Sequence, residues 1–258
     1  MTERFGDVEV TVGDDHVAVV EIQRPPHNFF DVELIKDIAD AYEALDADDS
    51  CRVLVLCSQG KNFCAGANFA GGYTPPTGGS DALYGEAVRL MRYSKPVVAA
   101  VQGAAIGGGL GLACSADFRV AAPTSRFTSN FAQLGFHHGF GLTLTLPRIV
   151  GNQTALDLMY TGRRIDGTRA REIGLCDILV DNAEDLRPAA RTYAAEIASS
   201  APLAVQSIRR TMRGSLAEAF RDATLHEGEQ QIWLRKTDDF REGVDAGKER
   251  RTPRFTGR

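Results

Sequence analysis

Residues 95–121 constrain this chain more than any other stretch, because they carry an apolar strand directly into a run of glycines. Apolar residues dominate 96–101, and Gly103 and the triple glycine 107–109 follow, before a helix of small residues and Asp117. Glycines at the start of a helix leave backbone N–H groups open to a ligand oxygen, because no side chain covers them. The segment therefore predicts an α/β layer with exposed amide donors where the helix begins.

A second turn of small residues, 63–68 with the sequence FCAGAN, lies some forty residues earlier. Two such turns can aim two N–H donors at one carbonyl oxygen, which is the arrangement that stabilises an enolate or an oxyanion. A triple glycine alone is also typical of a flexible loop or of tight helix packing. A phosphate-binding loop is disfavoured, because neither the G-x-x-x-x-G-K-[ST] spacing nor the dinucleotide-binding spacing occurs here.

Composition excludes several classes of function. The 258 residues carry a formal net charge of −5, which argues against general nucleic-acid binding. No apolar stretch reaches the roughly 20 residues that a membrane-spanning helix needs, and the N-terminus lacks a signal-peptide core. The five cysteines show no metal-ligand spacing, and they are typical of reduced thiols. We expect a cytoplasmic protein with no bound metal, no membrane partner and no nucleic-acid partner.

Alternating and apolar runs predict the order of the elements. Val8–Val12 and Val17–Ile22 indicate a hairpin, and Asp31 is a candidate cap for a helix with apolar residues at helical spacing. Strands are expected at 52–57, 97–101 and 118–121, so the rhythm is that of an α/β protein. Helical patterns cover four segments near the C-terminus, at 184–198, 202–213, 216–235 and 238–249.

Residues 73–83 are rich in Pro, Gly, Ser and Thr, and they predict a loop that is either a surface connection or a mobile segment near the site. Four polar side chains in or beside this loop could reach the site, although each is interpreted as a solvated loop residue, namely Tyr73, Asp81, Tyr84 and Glu86. Asp117 and Asp166 are interpreted as helix caps or ion-pair partners. Cys64 is interpreted as buried filler.

The glycine segments resemble those of the crotonase superfamily, the enoyl-CoA hydratase/isomerase family. Its members carry a Phe-x-x-Gly-Ala-Asp turn and a Lys-Pro…Gly-Gly-Gly…Ala-x-Asp-x-Arg segment, and the similarity returns at 146–148, 161–166 and 239–243. The resemblance implies a ββα spiral core over 1–183 and an all-helical segment over 184–258. It also implies that this segment joins subunits into a homotrimer or a dimer of trimers.

The resemblance assigns the backbone amides of Ala67 and Gly108 to the thioester oxygen of an acyl-CoA. Enolate charge on that oxygen would then be met by preorganised donors. CoA enters as part of the substrate, and no permanently bound cofactor is expected. For the CoA moiety the resemblance points to Pro26, His27 and Ala65, and a neighbouring subunit's Phe255 could pack on the nucleotide.

The chain departs from the family's hydratase pattern at two positions. The two glutamates that hold water in the hydratases align with Gly111 and Phe131, neither of which transfers a proton. Asn68 replaces the usual aspartate, and the two residues are similar as helix caps. The loop after Phe131 carries His137 and His138, and we hypothesise that one of them is the acid–base group, because histidine titrates near neutral pH. The alternative is that both bond to the backbone or lie at a subunit interface.

The sequence leaves the reaction open among isomerisation, a variant hydration and C–C bond cleavage of a β-keto substrate. The aromatic residues Phe29, Phe30, Phe131, Phe136 and Phe140 suggest a pocket for a bulky acyl group, although core packing accounts for them equally well. The rival hypothesis is a non-catalytic acyl-CoA-binding protein, in keeping with the loss of both glutamates.

Overall fold

The structure, a computed structural model, describes residues 2–68 and 79–258, and of residues 79–81 it describes the backbone alone. Two sheets organise it. The larger sheet has the strand order β1-β2-β3-β4-β5-β7-β10, and the smaller has the order β6-β8-β9. The strands are β1 Thr2–Phe5, β2 Val8–Val12, β3 Val17–Ile22, β4 Val53–Ser58, β5 Val97–Val101, β6 Ala104–Ile106, β7 Phe118–Ala121, β8 Arg126–Thr128, β9 Arg164–Asp166 and β10 Ile178–Leu179.

Ten helices are found in the described part of the chain. They are α1 Val32–Asp46, α2 Gly79–Arg92, α3 Gly108–Ser115, α4 Leu142–Val150, α5 Asn152–Thr161, α6 Gly167–Glu172, α7 Leu186–Ala198, α8 Pro202–Arg213, α9 Leu216–Leu234 and α10 Asp238–Glu249. None of these helices combines the length and the apolar character that crossing a bilayer requires.

The large sheet is buried on both faces at its centre. Every residue of β4 is buried, and its side chains alternate between two hydrophobic clusters. Leu54 and Leu56 point to the cluster that includes α1 and α2, whereas Val53 and Val55 point to the cluster under α7. Successive side chains of a strand face opposite sides, so a continuous apolar run is what a parallel strand between two helical layers needs.

The α/β interpretation is confirmed, with an antiparallel β2–β3 hairpin and parallel pairing from β3 through β10. The predicted cap is also confirmed, because the Asp31 side chain accepts a hydrogen bond from the Leu34 N–H at 2.9 Å. Parallel pairing of β4 with β5 and of β5 with β7 places β5, the strand that leads into the glycine segment, in the interior of the sheet.

The loop predicted over 73–83 is wrong in its second half, because α2 begins at Gly79. The apolar positions Leu83, Ala87 and Met91 repeat every four residues, and this helical spacing starts inside the supposed loop. Residues 69–78, and with them Tyr73, lie outside the described residues, as does the side chain of Asp81.

The four C-terminal helices match their predicted ranges within two residues. The first of them, α7, covers the large sheet beside β4, β5 and β7, whereas α9 crosses α2 and α4. α10 packs on a 3₁₀ turn at 132–134, next to the glycine-rich loop that comes after this turn. The division into domains at residue 183 stays a prediction.

Candidate active site

The small sheet brings the two glycine turns together. The Cys64 N–H donates to the Ala104 carbonyl at 2.9 Å, and the Ile106 N–H donates to the Cys64 carbonyl at 3.1 Å. Cys64 is therefore bridged in parallel to Ala105, at the strand that leads into α3. The residues after Cys64 and the residues after Ile106 leave this pairing side by side, which puts Ala67 and Gly108 on one wall.

Side chains are excluded where the two turns meet. A Cβ atom at Gly109 would overlap the Cys64 carbonyl, and one at Gly108 would overlap the ring of Phe30. Gly66 has a φ of 82°, a conformation that favours glycine, and its Cβ would lie 2.7 Å from the Ile106 carbonyl. The small residues thus serve close packing of backbone on backbone as well as access for a ligand.

Two backbone amides in this wall have no acceptor within residues 2–68 and 79–258, those of Ala67 and Gly108. Gly108 is the first residue of α3, so its N–H belongs to the group of donors that a helix leaves unpaired at its N-terminus. Both residues line one cavity. The two N–H groups can donate hydrogen bonds to a carbonyl oxygen of a ligand, and the helix N-terminus favours negative charge on that oxygen.

The cavity in front of these amides has a volume of about 480 Å³ and largely aromatic walls. All five phenylalanines singled out in the sequence line it, namely Phe29, Phe30, Phe131, Phe136 and Phe140. Phe140 and Phe131 are also nearly buried, so the same rings serve as core and as cavity wall. A site of this size and lining suits an apolar or aromatic acyl group.

One side of the cavity carries a connected set of polar groups. The Tyr84 hydroxyl donates to Gln231 Oε1 at 3.1 Å, and Arg235 Nη2 donates to the same oxygen at 2.7 Å. Gln231 Nε2 donates to the carbonyls of His137 and His138. The set ties α2 and α9 to the loop after the 3₁₀ turn.

The interpretation of Tyr84 as a solvated loop residue is wrong. Tyr84 is 6% exposed, lies on α2 and lines the cavity, and burial raises the pKa of its hydroxyl well above the usual value. It is therefore protonated at neutral pH and acts as a donor. Glu86 also lies on α2, where it pairs with Arg89.

The two histidines proposed as acid–base groups lie behind the cavity wall and do not line it. His138 is 8% exposed, and its ring packs on Phe131 with centroids 5.1 Å apart. His137 is half-buried, and its Nδ1 lies 2.9 Å from the His138 carbonyl oxygen. The acid–base role of either imidazole stays a prediction, and in this conformation Phe131 separates His138 from the cavity.

Burial and, to a smaller extent, neighbouring His137 together lower the pKa of His138 from 6.5 to about 4. Because the folded-state pKa is the lower one, the unfolded chain takes up its proton first as the pH falls. We expect unfolding free energy to be independent of His138 above about pH 6.5 and to decrease by up to about 3 kcal/mol towards pH 4. The measurement is urea unfolding of wild type and His138→Phe between pH 4 and 8.

The substitution should flatten this pH dependence, whereas the exposed His226→Asn control should keep it. Equal slopes in His138→Phe and wild type would show that His138 titrates normally in the folded protein.

Gly111 and Phe131 are the positions that the family resemblance assigns to the hydratase glutamates, and that assignment stays a prediction. A Cβ atom at Gly111 would lie 2.8 Å from Phe140 Cβ and 3.0 Å from the Phe140 carbonyl oxygen. The close approach of residue 140 therefore leaves little room for a side chain at Gly111. Among the cavity-lining residues that the structure describes, Asp31 supplies the single carboxylate. It is already engaged, because it caps α1 and pairs with Arg24 at 2.7 Å.

The expected CoA-binding residues are partly brought together. The Ala65 N–H donates to the His27 carbonyl at 2.9 Å, and Ala65 lines the cavity while Pro26 and His27 are exposed beside it. Buried Asn28 holds this loop, because its Nδ2 donates to the carbonyls of Gln59 and Asn62 at 2.8 and 2.6 Å.

Five further residues singled out in the sequence can be located in the structure, and the role expected of Phe255 on a neighbouring subunit's CoA stays a prediction. Phe255 lies in the tail after α10, 43% exposed, and the fold does not bring it to the cavity of its own chain. Asp166 caps α6 and Asp117 is an ion-pair partner, as interpreted. Cys64 is fully buried, and burial raises the pKa of its thiol to about 12. The cap expected at Asn68 falls next to residues outside the description, and Asn68 itself lines the cavity.

Comparison with known proteins shows which family this chain resembles. Residues 13–258 match the family model described as "Enoyl-CoA hydratase/isomerase". The chain is 34% identical to (E)-benzylidenesuccinyl-CoA hydratase of Thauera aromatica, covering 94% of this chain and 96% of that protein. It is 30% identical to 1,2-epoxyphenylacetyl-CoA isomerase of Escherichia coli, covering 94% of this chain and 95% of that protein.

Solved structures agree. The crystal structure of an enoyl-CoA hydratase/isomerase from Pseudoalteromonas atlantica superposes with a TM-score of 0.85 at 29% identity, over 97% of this chain and 100% of that one. An enoyl-CoA hydratase from Mycobacterium avium superposes with a TM-score of 0.83 at 28% identity, over 97% and 99%. The crotonase-like fold with its helical C-terminal segment is thereby confirmed, and the chain belongs to the enoyl-CoA hydratase/isomerase family.

Proposed function

We propose that this chain is an acyl-CoA enzyme that stabilises a thioester enolate between the backbone amides of Ala67 and Gly108. The observation that supports the proposal is that both amides lack an acceptor in the described structure and that both residues line the same cavity. Removal of a proton from the carbon next to the thioester places negative charge on the thioester oxygen. Preorganised donors at that oxygen lower the barrier to this step.

The candidate reactions share this enolate and differ in the step that consumes it. They are isomerisation, hydration by a variant route, and C–C cleavage of a β-keto acyl group. Hydration by two glutamates is not supported, because Gly111 and Phe131 stand where the family resemblance places those side chains. A positioned acid or base contributes about 10²–10⁴ in rate, so another group has to supply the proton transfer.

The acid–base group proposed from the sequence is His137 or His138. At neutral pH His138 is uncharged, so it could accept a proton but not donate one. Its Nε2 is buried and has no hydrogen-bond partner in the described structure. Contact with substrate would require the Phe131 ring to move, because the two rings are packed together.

Deuterium exchange tests enolate formation without knowledge of the natural acyl group. Wild-type protein is incubated in D₂O with an acyl-CoA that has hydrogens on the carbon next to the thioester, such as phenylacetyl-CoA. Deuterium should enter the ligand at that carbon, and mass spectrometry detects it. His137→Ala and His138→Ala are tested in parallel. Unchanged exchange in both variants ends the histidine hypothesis and leaves the enolate intact, whereas binding without exchange in wild type contradicts the enolate itself.

The second candidate function is acyl-CoA binding without chemistry. It is favoured by one observation, that the single carboxylate found among the described cavity-lining residues is already committed to a helix cap and an ion pair. Measured affinity for several acyl-CoAs, with no exchange and no turnover on any of them, would establish this alternative.

We further propose a homotrimer or a dimer of trimers, joined through the C-terminal helices. Helix α8 exposes Leu203, Ile208 and Met212 at 79, 64 and 74% in the single chain. Apolar side chains exposed together on one helix are typical of a covered surface. Analytical ultracentrifugation gives the test, since a monomer at micromolar concentration contradicts the proposal.

A further inference from the structure

A second pocket, of about 200 Å³, lies where the end of α2 meets α8 and the start of α9. It shares no lining residue with the acyl cavity. Its charged lining consists of four arginines and one glutamate, namely Arg92, Arg209, Arg210, Arg213 and Glu218. Arg92 and Arg210 are exposed at the rim, whereas Arg209 and Arg213 form the floor.

The floor of this pocket carries more positive than negative charge. Arg209 and Arg213 share the carboxylate of Asp117, with N···O distances of 2.9 and 3.0 Å. The three side chains are 8, 14 and 15% exposed, so solvent screens them poorly. Asp117 Oδ2 also accepts a hydrogen bond from the Val97 N–H at 2.9 Å. The carboxylate that the two arginines share is therefore not available to them alone.

The floor arginines also carry unused donors behind the pocket surface. Arg209 Nη2 and Arg213 Nη1 are shielded from solvent and have no partner within the described part of the chain. The hydroxyls of Tyr42 and Tyr93 are unpartnered in the same way, although Tyr42 does not line the pocket. An ion in the pocket would therefore meet the charge of the two guanidinium groups rather than these two nitrogens.

The electrostatics agree with the geometry. Desolvation lowers the pKa of Arg213, although Asp117 acts in the opposite direction, and Arg209 lowers it further. Pairing with Asp117 therefore leaves the buried charge undercompensated. Arg209 is held by its own contacts, because its guanidinium lies 5.0 Å from the centroid of the Tyr93 ring and donates to the Tyr93 carbonyl. The two guanidinium groups are thus held in place, and together they carry one more positive charge than Asp117 neutralises.

We propose that this pocket binds a small tetrahedral oxyanion of the phosphate class, between the rim arginines and the charged floor. Guanidinium groups match such oxyanions in geometry and donate charge-assisted hydrogen bonds. The volume suits an ion of this size with bound water, and the site uses none of the groups of the acyl cavity. It is therefore independent of the proposed enolate chemistry, although Arg210 lies on α8, the helix proposed to join subunits.

Calorimetric titration with sodium phosphate tests the site, with ionic strength held constant by sodium chloride. The test variant is Arg92→Gln/Arg210→Gln, which removes the rim charges and leaves the pairs with Asp117 intact. The matched control is Arg148→Gln/Arg164→Gln, two exposed arginines that lie outside the pocket. Wild type and control should bind phosphate equally, and the test variant should bind about tenfold more weakly or worse.

Two results would overturn the proposal. They are the absence of phosphate binding by wild type and equal binding by the test and control variants. Sedimentation of the same proteins tests the alternative that the rim arginines contact a second copy of the chain. If the rim substitutions change the oligomeric state but not phosphate binding, the arginines pair with carboxylates of a second copy.

Discussion

Gly108→Val should reduce kcat/KM for any acyl-CoA substrate by about 100-fold or more. Valine keeps its backbone N–H, but its side chain should hold the thioester oxygen away from that donor, which costs about as much as losing the donor. Even a Cβ atom at this position would overlap the Phe30 ring, so the valine side chain has to displace that ring. The substitution acts on the amide wall and on the space for the acyl group together. Steady-state kinetics and acyl-CoA affinity measure the two effects separately.

Gly85→Val is the matched control, because Gly85 lies on α2 and a Cβ atom added there would have no neighbouring atom within 4 Å. Valine is the better helix former of the two residues, so the control should fold and bind as wild type does. Normal acyl-CoA affinity and turnover in Gly108→Val would show that the thioester oxygen is bound elsewhere.

The strand and helix framework was predictable because its signals are local. Asp31 ahead of a helical apolar pattern, the alternation in the first hairpin and the apolar runs of β4 and β5 each occur within one element. The two glycine turns were also predictable as a pair, although the reason lies in long-range pairing. It is the bridge from Cys64 to Ala105 that puts Ala67 beside Gly108.

The polar side of the cavity was predictable only in part. Tyr84 is among the groups that could reach the site from the sequence, whereas its partner Gln231 is not, because the two come from distant parts of the chain. Tyr84 and Gln231 are 147 positions apart, and neither has a sequence motif around it. The acid–base role of the histidine pair stays a prediction for a related reason. Which of two adjacent side chains faces a cavity depends on the path of the loop, and this loop is held by contacts distant in the sequence, such as those of Gln231 with the His137 and His138 carbonyls.

Asp117→Ala should destabilise the protein by about 3–5 kcal/mol, the usual cost of removing one partner of a buried ion pair. The loss leaves Arg209 and Arg213 buried without a counter-charge and removes the acceptor of the Val97 N–H. Asp117 thus joins the start of β5 to α8, whose Arg209 is 92 positions away in the sequence. Urea unfolding at pH 7 gives the change in the free energy of unfolding.

Asp222→Ala provides the control, because Asp222 is 66% exposed and its pair with Arg221 lies in solvent. Exposed pairs contribute about 0–1 kcal/mol, so the control should remain close to wild type. Asp117→Asn separates charge from hydrogen bonding, since its amide oxygen can still accept the Val97 N–H. If Asp117→Ala costs no more than Asp222→Ala, the two arginines do not depend on this carboxylate, and the positive floor of the second pocket needs another explanation.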